Sequence, residues 1–173
     1  TKVESLTRLV SEATLLQEAG QPSVVFERDI ADTELWAEVD ATMISQALTN
    51  LIKNAGEAIE SLYEKEGRDG RTARIRISTT PEGDAAAVIR IADNGIGLPE
   101  DRSRLFEPYV TTREKGTGLG LPIVKKIIEE HGGTLTLEDA PAFEPGARQG
   151  AMAVIRLPLA QTTVMTSEER QAV

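Results

Sequence analysis

NLIKNAGEA, residues 50–58, lies inside a stretch whose apolar positions recur at helical spacing, yet it contains two asparagines one turn apart. Asparagine costs about half a kcal/mol relative to alanine in a helix interior, because its side chain competes for backbone hydrogen bonds. Helix formation alone does not favour it here. Working outward, Ile44, Leu48, Leu51, Ile52, Ala55, Ile59 and Leu62 form one apolar stripe, and Asn50, Asn54 and Glu57 share a narrow face beside it. The spacing predicts a long helix, capped by Asp40 and ending near residue 63. Two amide oxygens one turn apart can ligate a hard cation such as Mg²⁺, which prefers oxygen ligands and shares them with phosphates and water. A solvated polar face accounts for the pair equally well.

Residues 3–19 place Leu6, Leu9, Val10, Ala13 and Leu16 at helical spacing before Gly20 and Pro22 stop the pattern, which predicts an amphipathic opening helix. Residues 24–30 and 35–39 read as short strands around an acidic turn. Residues 74–80 and 86–93 read as two antiparallel strands joined by the hairpin chemistry of Pro-Glu-Gly-Asp. Residues 119–133 predict a helix with Pro122 in its first turn, an apolar stripe of Ile123, Val124, Ile127 and Ile128, and a Gly132-Gly133 stop. Two further strands follow on either side of a Pro/Gly-rich loop. The fold class is α+β: a two-layer α/β sandwich with a mixed, mostly antiparallel sheet and three helices on one face. A single domain is expected over residues 1–160, with a polar, flexible tail at 161–173. Residues 94–118 lose periodicity and gather glycine, proline and charge, a length that suits a lid better than a linker.

Composition narrows the function classes. The net charge of −9 repels polyanions, no stripe of basic residues is evident to overcome it, and only 3% of residues are aromatic, so nucleic acid is not an expected partner. No apolar run reaches the roughly twenty residues that span a bilayer, and the first residues lack a signal-peptide core, so this segment is not expected to insert in a membrane. The chain has no cysteine, which excludes disulfides and cysteine-ligated metal and suits a cytoplasmic location.

Two further stretches carry chemistry. In IADNGIGLP, residues 91–99, Asp93 ends a strand and glycines follow at 95 and 97. The glycines permit close backbone approach, and a buried carboxylate there can accept a hydrogen bond from the amino group of adenine. An ordinary Asp-Asn-Gly turn explains the same residues. In KGTGLGLP, residues 115–122, a glycine-rich loop opens onto a helix, so its amides and the helix dipole can cradle phosphate, with Arg113 and Lys115 adding charge. The loop lacks the Gly-Lys-Ser/Thr of a P-loop and the third glycine and preceding strand of a dinucleotide fingerprint.

Taken together, Asn-x-x-x-Asn on a helix, Asp-x-Gly-x-Gly after a strand, Phe106-Glu107-Pro108 and Gly-x-Gly-x-Gly before a helix resemble the catalytic, ATP-binding domain of bacterial two-component sensor histidine kinases. The motifs run from about residue 40 to 158, and the wording looks most like the nitrogen-regulation sensor kinases. The resemblance implies the Bergerat sandwich shared with gyrase, the Hsp90 chaperone and MutL, and it implies Mg²⁺ and ATP as ligands. By similarity, Asn54 is the stronger metal-ligand candidate and Asn50 lies with it on the metal and phosphate side. Asp93 would read adenine, Gly95 and Gly97 would shape the pocket, and Phe106 would anchor the lid. Thr112, Gly116, Thr117, Gly118, Leu119 and Gly120 would wrap the phosphates, and Arg113 or Lys115 would replace a lysine that many family members carry after the second asparagine. Glu57 stands near that position, as a nucleotide contact or as a solvated residue.

Hydrolysing relatives carry glutamate where this chain has Asn50. An amide has no useful basicity at neutral pH, so the sequence favours phosphoryl transfer over ATP hydrolysis. The single histidine, His131, closes a helix before Gly-Gly, where a structural role suits it better than a phosphoacceptor role. The expected partners are the chain's own dimerisation and phosphoacceptor domain, absent from these residues, and a response regulator. A non-catalytic ATP-binding regulatory module and a Bergerat ATPase are the competing readings.

Overall fold

A computed structural model describes residues 1–107 and 120–161. In chain order the elements are β1 (Lys2–Ser5), α1 (Leu6–Gly20), β2 (Val25–Ile30), β3 (Trp36–Val39), α2 (Ala41–Glu66), β4 (Arg74–Glu82), β5 (Ala86–Asp93), α3 (Gly120–Glu130), β6 (Thr134–Asp139) and β7 (Ala151–Pro158). The long helix forms where its apolar stripe predicts: the Asp40 carboxylate accepts the Met43 N–H at 3.0 Å, and Ile44, Leu48, Leu51, Ile52, Ala55, Ile59 and Leu62 are buried. It ends at Gly67, whose N–H closes the last turn on the Tyr63 carbonyl at 2.8 Å and whose positive φ of 80° turns the following chain out of the helix.

The main sheet has the order β2-β4-β5-β7-β6. Every pairing is antiparallel except β2 with β4, so the sheet is mixed and mostly antiparallel. Ile75 and Ile77 of β4, Ile89 and Ile91 of β5, and Ile155 and Leu157 of β7 alternate toward the layer of α1, α2 and α3. The expected α+β sandwich is the observed architecture.

Several local expectations require correction. The opening helix does not begin at residue 3: residues 2–5 pair with β3 as a second, two-stranded sheet, Val3 opposite Glu38 and Ser5 opposite Trp36. Ser5 caps α1 instead, its hydroxyl accepting the Arg8 N–H at 3.1 Å while also bonding the Glu34 carboxylate. Strands β2 and β3 follow the predicted segments but join different sheets, because the chain between them crosses from the edge of one to the other. Leu16, 71% exposed, falls on the flank of α1, whose buried positions are Leu6, Leu9, Val10, Ala13 and Thr14. Ile123, 43% exposed, likewise leaves the stripe of α3 to Val124, Ile127 and Ile128. The predicted tail lies outside the described residues from 162 onward, and of the predicted lid, residues 94–118, the part up to residue 107 is described.

Candidate functional site

The site is built where the end of β5 meets the middle of α2. Gly95 lies so close to the helix backbone that a Cβ there would stand 2.5 Å from the Ala58 carbonyl carbon and 2.6 Å from the Ile59 nitrogen. The next residue, Ile96, donates its N–H to the Ala58 carbonyl at 3.0 Å. This contact falls one helical turn beyond Asn54, and two turns beyond Asn50, on the same helix. Gly97 then turns the chain away with a φ of 83°, a conformation that side chains strongly disfavour. Both glycines singled out from the sequence are thus required by close approach or by backbone conformation.

Asp93 is 4% exposed. Its Oδ1 accepts the Gly95 N–H at 2.8 Å and the Ala151 N–H at 3.3 Å, so the carboxylate is held between its own turn and the start of β7. No hydrogen bond from a described residue reaches Oδ2. Burial pushes the carboxyl up to about 6, against the lowering pull of the Gly95 and Ala151 N–H groups. Near pH 7 it is an anion with an oxygen left to accept a donor. An adenine offers such a donor in its N6 amino group, whereas guanine presents an acceptor at the equivalent position.

Asn94 completes the turn in a structural role: its Oδ1 accepts the Arg74 N–H at 2.9 Å and its Nδ2 donates to the Thr72 carbonyl at 2.7 Å. The Asp-Asn-Gly sequence is therefore both a turn, through Asn94, and a poised carboxylate, through Asp93.

Asn50, Asn54 and Glu57 are all half-buried on α2. Among the described residues no three histidine, cysteine, aspartate or glutamate side chains converge as a metal site. Asn54 and Asn50 bring two amide oxygens to this face of α2, a donor type that hard cations accept alongside phosphate oxygens and water. Phe106 is half-buried against the core, with the Lys125 ammonium 5.1 Å from its ring centre, which ties the segment before residue 108 to α3. Arg102 adds a second tie, to Asp139 at 2.9 Å. Gly120 is the first residue of α3. Thr112, Arg113, Lys115, Gly116, Thr117, Gly118 and Leu119 lie outside the described residues.

His131 is a connector between helices. The Asp40 N–H donates to its Nε2 at 3.1 Å, so Nδ1 carries the ring proton and donates to the Ile127 carbonyl at 2.7 Å. The expected structural role holds, though through a neutral ring that accepts a bond and not as a cation at the helix end. Both ring nitrogens are engaged, which removes the lone pair a phosphoacceptor needs.

Three contributors were not evident from sequence. Gly150 leaves no space for a Cβ, which would collide with the Asp93 carbonyl and stand 2.7 Å from its Oδ1. Ala151 supplies a backbone donor to Asp93, and Arg148 donates to the Ile96 carbonyl at 3.2 Å. The only local signal was a glycine directly before an apolar strand in the run Arg-Gln-Gly-Ala.

Comparison with known proteins bears on the family and the fold. A family profile described as histidine kinase-, DNA gyrase B-, and HSP90-like ATPase matches residues 39–161. The chain is similar to nitrogen regulation protein NtrY of Azorhizobium caulinodans, 47% identical over 157 residues that cover 90% of this chain and 19% of that protein. It is also similar to sensory histidine kinase/phosphatase NtrB of Vibrio alginolyticus, 33% identical over 147 residues that cover 80% of this chain and 40% of that protein. Among solved structures, the catalytic domain of histidine kinase ThkA superposes with a TM-score of 0.72 at 30% identity, covering 91% of this chain and 96% of that one. A mycobacterial sensor histidine kinase, MprB, superposes with a TM-score of 0.76 over 93% of this chain and 99% of that one; at 23% identity it speaks to the fold alone. The chain spans about a fifth of the length of NtrY.

Proposed function

This chain belongs to the histidine kinase-, DNA gyrase B- and HSP90-like ATPase family, and on that premise we propose that it is the Mg²⁺·ATP-binding catalytic domain of a cytoplasmic sensor histidine kinase region. It donates the γ-phosphoryl group of ATP to a histidine on a separate dimerisation domain, for relay to a response regulator. The observation that carries the reading is the buried Asp93 carboxylate, locked through Oδ1 and open at Oδ2, on a loop seated one turn from Asn54. No helix among the described residues is long and apolar enough to cross a membrane. The solved complex of ThkA with response regulator protein TrrA supports a regulator as the downstream partner.

In this proposal the Asp93 Oδ2 accepts the adenine amino group, and Gly95 and Gly97 admit the base beside the strand end. Asn54 and Asn50 present amide oxygens to the metal and phosphates. Mg²⁺, when bound, neutralises charge on the phosphate oxygens. Thr112, residues 116–120, Arg113 and Lys115 are assigned to the phosphates, and Glu57 to the same rim. The acceptor imidazole nitrogen bonds to the γ-phosphorus as the bond to the bridging oxygen breaks and ADP departs. Asn50 cannot take a proton from water, so ATP stays intact until the histidine arrives.

The test is nucleotide titration with and without Mg²⁺, followed by transfer of labelled phosphate to a supplied acceptor domain. Asn54→Ala is expected to remove the Mg²⁺-dependent part of affinity and to abolish transfer, with stability within about 0.5 kcal/mol of wild type because the residue lies outside the apolar stripe. Full transfer by Asn54→Ala and Asp93→Ala overturns the proposal. ATP binding without transfer to any cognate acceptor favours the regulatory module instead.

A further inference from the structure

Beside the Asp93 loop lies a cavity of about 160 Å³, bounded by the end of α2, residues 70–74, Asn94 and the loop before β7. In a chain of net charge −9 its lining is basic: Arg71, Arg74 and Arg148 face it, against one carboxylate, that of Glu144. The aromatic side chains that complete the wall carry further guanidinium groups, Arg68 over Tyr63 at 5.2 Å and Arg76 over Phe143 at 4.4 Å. Four of these arginines come from residues 68–76, a local basic run that the acidic composition masks.

These cations are incompletely neutralised. Arg71 and Arg148 share one partner, Glu66, at 3.4 and 2.5 Å. Arg74 approaches Glu27 at 3.7 Å and Glu144 at 3.9 Å, beyond hydrogen-bond length, so its guanidinium retains donors for another acceptor. Guanidinium forks match carboxylate and phosphate oxygens, and the surrounding charge favours an anion. The volume is well below the roughly 300 Å³ at which pockets for drug-sized ligands begin, which suits a small anion.

We propose that this cavity is a second binding site, for a small dianionic oxyanion, a dicarboxylate or a phosphate, held by Arg71 and Arg74. Arg148 connects it to the nucleotide site, since the same guanidinium that lines the cavity holds the Ile96 carbonyl, and Asn94 adjoins Asp93. Occupancy therefore biases the Asp93 loop and changes nucleotide affinity, a consequence that rests on the function proposed above.

The site is tested first without nucleotide. Succinate and inorganic phosphate, each against sodium chloride at matched ionic strength, are titrated into the ¹⁵N-labelled domain. Saturable shifts at the amides of Thr72, Asn94 and Ala147 are expected, with at least tenfold weaker binding in Arg71→Gln/Arg74→Gln. Which probe saturates identifies the carboxylate or phosphate source. Linear, unsaturated shifts, shifts confined to other residues, or equal affinity in the variant overturn the site. Should the variant not fold, the wild-type shift pattern alone decides. A separate titration of an ATP analogue with and without succinate is expected to show a several-fold change in affinity. An unchanged value overturns the coupling, and failure of the analogue to bind at all counts against the nucleotide reading while leaving the first result intact.

Discussion

Replacing Asp93 by asparagine sets stability against function at one buried carboxylate. Burial raises this carboxyl from 3.8 to about 6 in the folded chain. In the unfolded chain the group keeps its ordinary value, so between about pH 4 and pH 6 the unfolded state has released a proton that the folded state still holds. Stability therefore falls as pH rises through this window, and the full cost applies above it. A shift of about two units corresponds to a cost of about 3 kcal/mol at pH 8.

Asparagine retains an oxygen to accept the Gly95 and Ala151 N–H groups but carries no charge to desolvate. The pull of these two bonds is already contained in the raised value of about 6, so the whole cost of the buried charge separates the two side chains. Asp93→Asn is thus expected to be about 3 kcal/mol more stable than wild type at pH 8, with the difference fading toward zero as pH falls below about 4. The same change opposes an amide N–H₂ or a weaker oxygen to the adenine amino group, and nucleotide affinity is expected to fall at least tenfold. Urea unfolding followed by circular dichroism at pH 4.5, 6 and 8 measures the first effect, and nucleotide titration the second. A variant less stable than wild type at pH 8, or a gap that does not change with pH, refutes the reasoning.

Two other substitutions probe the scaffold. Gly95→Ala drives a methyl group into the α2 backbone at Ala58 and Ile59 and is expected to cost about 1–3 kcal/mol, with weakened nucleotide binding as the loop lifts; thermal unfolding and titration check it, and an unchanged melting temperature contradicts the close contact. His131→Ala leaves the Asp40 N–H without its acceptor and is expected to lose about 1–2 kcal/mol, while phosphotransfer to a supplied acceptor domain persists at temperatures where the variant is folded. Loss of transfer in a folded His131→Ala contradicts the structural role.

The elements most legible in the sequence were those specified by local physics. The stripe from Ile44 to Leu62 and the cap at Asp40 define α2 because helix hydrogen bonds and side-chain faces are set within a few residues. The Pro-Glu-Gly-Asp run at residues 81–84 marked the β4–β5 hairpin for the same reason, although Pro81 and Glu82 pair with β5 as the last residues of β4. The asparagines, Asp93 and its two glycines were also recognisable, since their residue types are costly or unusual where they stand. Residues 2–5 were misread because four residues with one exposed valine fit a helix face and a strand equally, and only pairing with β3 decides between them.

What tertiary structure alone decided is every contact between distant segments. The parallel pairing of β2 with β4, the seat of Gly95 on Ala58, the Ala151 N–H that fixes Asp93, the reach of Arg148 to Ile96 and the bond of His131 to Asp40 join residues that no sequence period relates. The sequence by itself determined the chemical groups and the helix that presents two of them. The fold determined that Asp93 is buried with one oxygen bound and the other open, because burial and hydrogen-bond partners are properties of the packed chain and not of the residue.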